Sequence, residues 1–260
     1  MKQVKPKKYL GQHFLRDLQI ARQIVGLLSG HGGYRQVVEI GPGMGALTQF
    51  LVQNTTWEIH LAEIDREAVA YLAQKHFVPM ERLHHLDFLS MNLANLSQGQ
   101  PLALIGNLPY QISSPIFFKL LENRHIVSEM VCMVQKEVAE RITAAPGNKT
   151  YGILSVLLQA FYHVRYEFTV DQKAFQPPPK VKSAVIVLQR NQVERLPCNE
   201  KKFFQTVKTA FNQRRKTLRN ALKPLGVPSK ITDWPWINLR AEQLSVEDFV
   251  ALTTAIERVS

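Results

Sequence analysis

The sequence predicts an α/β fold on an open sheet, followed by a small all-helical C-terminal domain. Three observations carry that expectation. Val37-Val38-Glu39-Ile40 is a short buried strand that runs into a glycine loop, Gly41-Pro42-Gly43-Met44-Gly45, and then into a helix from Ala46. A second apolar run, Leu102-Ala103-Leu104-Ile105, passes through Gly106 into Asn107-Leu108-Pro109-Tyr110. Beyond about residue 190 buried strands stop and apolar residues fall at helical spacing. Ligands of open α/β sheets bind at the C-terminal edge of the strands, so the two loops mark one candidate site.

Composition sets the frame. A chain of 260 residues with 45% hydrophobic residues can build one large domain, or a large and a small one. The boundary falls at 190: residues 1–190 form the larger, ligand-binding domain and residues 191–260 the helical one. Thirty-two Lys and Arg against 21 Asp and Glu leave a net charge of +11, which favours a polyanionic partner. No segment reaches the roughly 18–20 apolar residues of a transmembrane helix, and the lysine-rich N-terminus lacks the apolar stretch of a secretory signal. Cys132 and Cys198 have no CxxC spacing and read as structural thiols in a reducing, cytoplasmic compartment. No metal site is visible, and the adjacent His84 and His85 read as structural.

Taken in order, residues 1–10 form a basic arm with Lys2, Lys5, Lys7 and Lys8, of which Lys7 and Lys8 are candidate phosphate contacts. Gly11-Gln12-His13-Phe14-Leu15 follows, then a helical pattern over Leu18 to Leu28. The glycine loop after the first strand lets backbone approach a nucleotide cofactor closely, and with Ala46 it also satisfies the dinucleotide-binding pattern. Ile59 to Ile64 is the second strand, and Arg66 to Lys75 is helical. Glu63, 22 positions after Gly41, can accept both hydroxyl protons of a ribose. Leu83 to Leu86 is a third strand. Asp87 after it can accept a hydrogen bond from an adenine amino group, with Phe88 or Ile64 packed on the ring; its alternative is a turn former. Ser114 is the expected cap of a helix beginning at Pro115. Met130 to Gln135 is a fifth strand. Val164 to Val170 and Ser183 to Leu188, joined across the stiff segment Phe175-Gln176-Pro177-Pro178-Pro179-Lys180, suggest an antiparallel hairpin.

The asparagine loop carries the most specific chemistry. The Asn107 carboxamide oxygen and the Leu108 carbonyl can both accept from one exocyclic amine. Pro109 fixes its own φ and restricts Leu108 to extended geometry, which aims that carbonyl. Tyr110 offers a face on which a base can stack. In the helical region, residues 201–223 hold eight Lys and Arg and no acid. Arg214, Arg215, Lys216 and Arg219 within it, together with Lys180, are candidate phosphate contacts.

In this order the Gly11–Leu15 segment, the Glu39–Gly45 loop, Asn107-Leu108-Pro109-Tyr110 with Ile112-Ser113-Ser114-Pro115, Phe175 with the prolines and Val181, and Phe211-Asn212-Gln213-Arg214-Arg215-Lys216 resemble the KsgA (RsmA) family. The resemblance runs from about Lys5 to the C-terminus. It implies a Rossmann-like, seven-strand S-adenosylmethionine-dependent methyltransferase fold. It also implies dimethylation of N6 on two adjacent adenosines near the 3′ end of 16S rRNA in the 30S subunit, by a monomer with a role in subunit biogenesis. By the same resemblance the methionine end of the cofactor lies near His13, Leu15 and Gly41, its ribose on Glu63 and its adenine near Asp87, with Gly43, Ile64 and Phe88 completing the cofactor-binding set. Asn107 stands at the reacting centre. The target base would stack between Tyr110 and Phe175. The family usually has Asn where this chain has His13. Two readings compete: a dimethyltransferase of large-subunit rRNA of the antibiotic-resistance kind, and a ribosome-assembly factor acting mainly by binding. A nicotinamide dehydrogenase would account for the glycine loop but not for the asparagine loop or the charge.

Overall fold

The computed structural model describes residues 4–227 and 234–259, apart from the side chains of Lys8 and Val259. The first three residues of the expected basic arm and the side chain of Lys8 therefore lie outside the described residues. The strands are β1 (Phe14–Leu15), β2 (Gln36–Ile40), β3 (Glu58–Glu63), β4 (Leu83–His85), β5 (Leu102–Asn107), β6 (Val127–Gln135), β7 (Tyr162–Val170), β8 (Phe175–Gln176) and β9 (Ser183–Arg190). The α-helices are α1 (Leu18–Gly26), α2 (Thr48–Leu51), α3 (Arg66–Lys75), α4 (Leu93–Ser97), α5 (Ser113–Glu122), α6 (Lys136–Thr143), α7 (Ile153–Gln159), α8 (Glu200–Asn212), α9 (Leu218–Ala221) and α10 (Val246–Val259).

Seven strands make one sheet in the order β4-β3-β2-β5-β6-β9-β7. The run from β4 to β6 is parallel, and β9 lies antiparallel to β6. Parallel strands covered on both faces must be apolar throughout, and β2, β5 and β6 are buried along nearly their whole length. The strand order reverses between β2 and β5, which are direct neighbours. A crevice opens at such a point because the connections from the two strands leave toward opposite faces. The glycine loop follows β2 and the asparagine loop follows β5, so the topology brings the two motifs together. The two last strands of the sheet are neighbours as expected, with β9 inserted between β6 and β7.

A separate two-strand ladder pairs β1 with β8, Phe14 opposite Gln176 and Leu15 opposite Phe175. It ties the end of the N-terminal arm to the segment before the prolines. The expected cap of α5 differs. The helix begins at Ser113, whose hydroxyl donates to the Tyr110 carbonyl (3.1 Å), and Ser114 makes no cap. The Ser113 hydroxyl thus serves the preceding turn instead.

The chain divides into two compact units, residues 1–139 with 163–190, and residues 140–162 with 191–260. The second unit takes in α7, which lies before the boundary at 190 that the loss of strands suggested. The physical reason is the composition of α7. Leu154, Val156, Leu157 and Leu158 are all buried, and α7 packs on α8 and α10. In α8 the buried Phe203, Val207, Ala210 and Phe211 recur at helical spacing, and the Asn199 side chain accepts from the Lys202 N–H at its start. Among the described residues no helix is long and apolar enough to cross a membrane.

Candidate active site

One cavity sits at the C-terminal edge of β2, β3, β4 and β5. It is lined by residues 9–14 of the arm, the glycine loop, the end of β3, the turn after β4 and the asparagine loop. Of the sequence-predicted residues, His13, Gly41, Gly43, Glu63, Ile64, Asp87, Phe88, Asn107, Leu108, Pro109 and Tyr110 line it.

Several of them are held by identifiable contacts. Glu63 ends β3 and is almost fully buried. Its Oε2 accepts from the Gly43 N–H (2.9 Å) and its Oε1 from the Asp65 N–H (2.8 Å). Burial raises its pKa, and the backbone donors act against that rise. Each oxygen keeps a second lone pair for a hydroxyl donor. Ile64 is half exposed, and Phe88 is buried with the Lys119 ammonium 5.5 Å above its ring. Asp87 caps the turn after β4: Oδ1 accepts from the Leu89 N–H (2.9 Å), and the other oxygen accepts from no described residue.

The asparagine loop is fixed at several points. The Leu108 N–H donates to the Met133 carbonyl (3.0 Å), and the Leu108 side chain is buried. Asn107 Nδ2 donates to the main-chain carbonyl of His13 (2.9 Å). The Tyr110 hydroxyl shares a hydrogen bond with Ser183 (2.7 Å), and the His13 imidazole stacks on the Tyr110 ring at 5.6 Å. His13 Nδ1 lies 2.8 Å from the Pro177 carbonyl. A carbonyl only accepts, so Nδ1 carries the hydrogen.

Two expected members stand elsewhere. Phe175, expected to sandwich a base with Tyr110, is buried to 2% exposure in the hydrophobic core with Leu15, Val170 and Ala174. Pairing in the β1–β8 ladder directs that ring inward, so it presents no face to a base. Leu15 packs into the same core and does not line this cavity, though it walls a smaller one beneath the glycine loop with Gly41, Gly43 and Asn107.

Lys7 also departs from expectation. Its ammonium lies 2.5 Å from Asp65 and 3.4 Å from Glu67. Asp65 in turn accepts from the Gln12 amide (3.0 Å) and the Glu67 N–H (2.9 Å). Burial alone would raise the Asp65 carboxyl, but Lys7 and Gln12 outweigh it and hold the carboxyl below its ordinary value. Sequence reasoning missed Asp65. Its position two residues after Glu63, at the start of α3, is the signal that could have found it.

Among the basic residues of the second unit, Arg215 and Lys216 are exposed. Arg214 donates to the Lys149 carbonyl and lies 3.9 Å from Glu242. Arg219 is half-buried and donates to the Asn238 side chain (3.4 Å). Lys180, in the first unit, is exposed.

The cavity suits a nucleoside cofactor. Gly41 has φ +63°, and a Cβ built on it would meet no atom within 4 Å, so the loop leaves a cradle that a side chain would fill. At Gly43 a Cβ would stand 2.9 Å from the Phe14 ring, so the loop approaches the arm as closely as glycine allows. A buried carboxylate, a half-exposed aliphatic wall and a turn with an unused carboxylate oxygen offer acceptors and an apolar face that suit a ribose and an adenine.

Comparison with known proteins gives the family. The family model described as ribosomal RNA adenine dimethylase matches residues 3–257. Ribosomal RNA small subunit methyltransferase A of Bacteroides thetaiotaomicron is 54% identical over 258 residues, covering 99% of this chain and 96% of that protein. The protein of the same name from Cytophaga hutchinsonii is 53% identical, covering 98% and 99%. Among solved structures, a dimethyladenosine transferase from Plasmodium falciparum superimposes with a TM-score of 0.78 at 24% identity, covering 95% of this chain and 98% of that one. The 23S rRNA methyltransferase ErmE gives 0.66 at 24% identity, covering 93% and 99%. These two likenesses concern the fold.

Proposed function

The chain belongs to the ribosomal RNA adenine dimethylase family, and from that premise we propose that it dimethylates N6 of two adjacent adenosines near the 3′ end of 16S rRNA. The observation that carries the reading is the bond from Asn107 Nδ2 to the His13 carbonyl. It commits the donor end of the amide to the protein and leaves Oδ1 as an acceptor at the cavity. An acceptor there, beside the Leu108 carbonyl, suits an exocyclic amine with two protons to give.

S-adenosylmethionine, when bound, supplies a methyl group on positively charged sulfur. Glu63 would hold the ribose, Ile64 and Asp87 the adenine, and the glycine loop with His13 the methionine end. The adenine N6 lone pair is delocalised into its ring, so the free amine is a poor nucleophile. Acceptance of its protons by Asn107 and Leu108 favours a pyramidal nitrogen aimed at the methyl group, and positioning supplies most of the rate. No strong base is needed, because the alkylated nitrogen is acidic and releases its proton readily. The target base leaves its stack at a cost of a few kcal/mol. Tyr110 offsets part of this, at about 1–3 kcal/mol for one stacked base. Exposed Arg215, Lys216 and Lys180 face the phosphates of the 30S subunit or its precursor. Both cysteines are free thiols, which suits a reducing cytoplasm.

The test is transfer of labelled methyl from S-adenosylmethionine to unmethylated small ribosomal subunits, with large subunits and naked 23S RNA in parallel. Label recovered as N6,N6-dimethyladenosine from the small subunit alone is expected. Label in 23S RNA would move the protein to the large-subunit reading. Cofactor binding without label in any arm would leave a binding role.

A further inference from the structure

Ser183 opens β9, and the five residues after it are Ala, Val, Ile, Val and Leu, all fully buried. Ser183 is itself 0% exposed. A buried hydroxyl at the head of such a strand is costly unless it is hydrogen-bonded. Its partner is the hydroxyl of Tyr110, 2.7 Å away and 73 residues earlier in the chain.

The register places this pair beside the reacting centre. Asn107 stands opposite Met133 on β6, Met133 opposite Val185 on β9, and Gln135 opposite Ser183. Ser183 therefore sits at the C-terminal edge of the sheet, two positions beyond the row that holds Asn107. Tyr110 is half-buried, lines the cavity and has His13 stacked on its ring. One end of the side chain is pinned to the sheet and its ring is packed against the arm. A ring held this way keeps its orientation before a base arrives, so capture of the base does not have to order it.

We propose that Ser183 is a positioning residue for methyl transfer: its buried hydroxyl holds Tyr110 at the angle on which the extruded adenine stacks. This rests on the adenine-N6 reading above. Phe175, the aromatic that the sequence pointed to as second platform, is in the core, so the orientation of Tyr110 carries the stacking.

The experiment uses the full chain with Ser183→Ala, Tyr110→Phe and the double variant. Tyr110→Phe keeps the ring and removes only the hydroxyl, so it also carries the test should Ser183→Ala fold poorly. Single-turnover methyl transfer to small subunits is measured beside cofactor affinity. A hairpin RNA with 2-aminopurine at the target position reports stacking by quenched fluorescence. Each single variant should transfer about tenfold more slowly, the size of one hydrogen bond, with weaker quenching and cofactor affinity within about twofold. The double variant should be no slower than the slower single, because both remove the same bond. Wild-type rate and quenching in both single variants, or losses that multiply in the double, would overturn the positioning role alone. Failure of the wild-type protein to methylate any RNA while binding cofactor would overturn the N6 reading and this role with it.

Discussion

Asn107 and His13, 94 residues apart, meet in one hydrogen bond: the side-chain amide of the first donates 2.9 Å to the main-chain carbonyl of the second. A carboxamide is symmetric in shape but not in chemistry, and this bond decides which end faces the cavity. The polarity of the site thus depends on where the N-terminal arm lies. That arm is placed by the β1–β8 ladder, by the contact of His13 with Pro177, and by Asp65 through Lys7 and Gln12.

Replacing Asn107 separates the two ends of the amide. Asn107→Ala should cut methyl transfer by at least about 100-fold while leaving cofactor affinity within a few-fold, because the amine is then no longer aimed at the methyl group. Asn107→Asp keeps an acceptor but cannot donate to the His13 carbonyl, and it should be nearly as slow. Single-turnover rates with equilibrium cofactor titration decide this. Rapid transfer by the Asp variant would mean that the His13 bond does not matter.

Phe175 should behave as a core residue. Phe175→Ala is expected to cost about 3–5 kcal/mol of stability through the cavity it leaves. Phe175→Leu should restore most of that and keep near wild-type transfer to small subunits. Chemical denaturation and a rate assay on the two variants check both halves. Loss of transfer in a stable Leu variant would return the ring to the site.

The basic residues of the second unit should separate by exposure. Neutralising Arg215 or Lys216 should lower the slope of log affinity for small-subunit RNA against log salt by about 0.7 to 0.9 for each phosphate no longer neutralised. Arg214→Gln should change that slope less, since Arg214 already holds the Lys149 carbonyl and faces Glu242. Filter binding over a salt series measures the slopes. Equal slope changes at all three would give Arg214 the same role as its neighbours.

Glu39 makes stability depend on pH. Burial pushes its carboxyl up to about 8, the Thr48 hydroxyl opposes the rise and the Glu63 charge adds to it. The ordinary value is 4.5. The folded value is the higher one, so the stability tied to this proton is full below pH 4.5 and is lost as pH rises through 8. Glu39→Gln keeps an acceptor for Thr48 and carries no charge. Its melting temperature should fall less than that of the wild type between about pH 6 and pH 9, the range that brackets the folded value. Parallel slopes for the two proteins would show Glu39 to be ionised throughout.

The site was legible in the sequence where its chemistry is local. Asn107-Leu108-Pro109-Tyr110, the glycine loop and Glu63 declared themselves because each follows a buried apolar run, and the topology then brought them to one cavity. The β1–β8 ladder was not legible. Two-residue strands about 160 positions apart have no periodicity to detect, and without that ladder Phe175 looks like a free aromatic before a proline loop. Lys7 misled for a related reason. A lysine among lysines reads as part of a phosphate-binding arm, and its partner Asp65 is 58 residues away. Helix α3 was placed residue for residue, since its helical pattern is local to it. The membership of α7 in the second unit depends on packing against α8, and no local pattern encodes that.

The insertion of β9 between β6 and β7 has a consequence for synthesis. The chain emerges from the ribosome N-terminus first, and domains form as their segments become available. Until residue 190 has been made, the edge of β6 has no neighbour on that side, and β7 has no strand through which to join the sheet. Nascent chains ending before Ser183 would expose an apolar, hydrogen-bond-hungry strand to their surroundings. A chain stalled there should need a chaperone, and one extended past Arg190 should not.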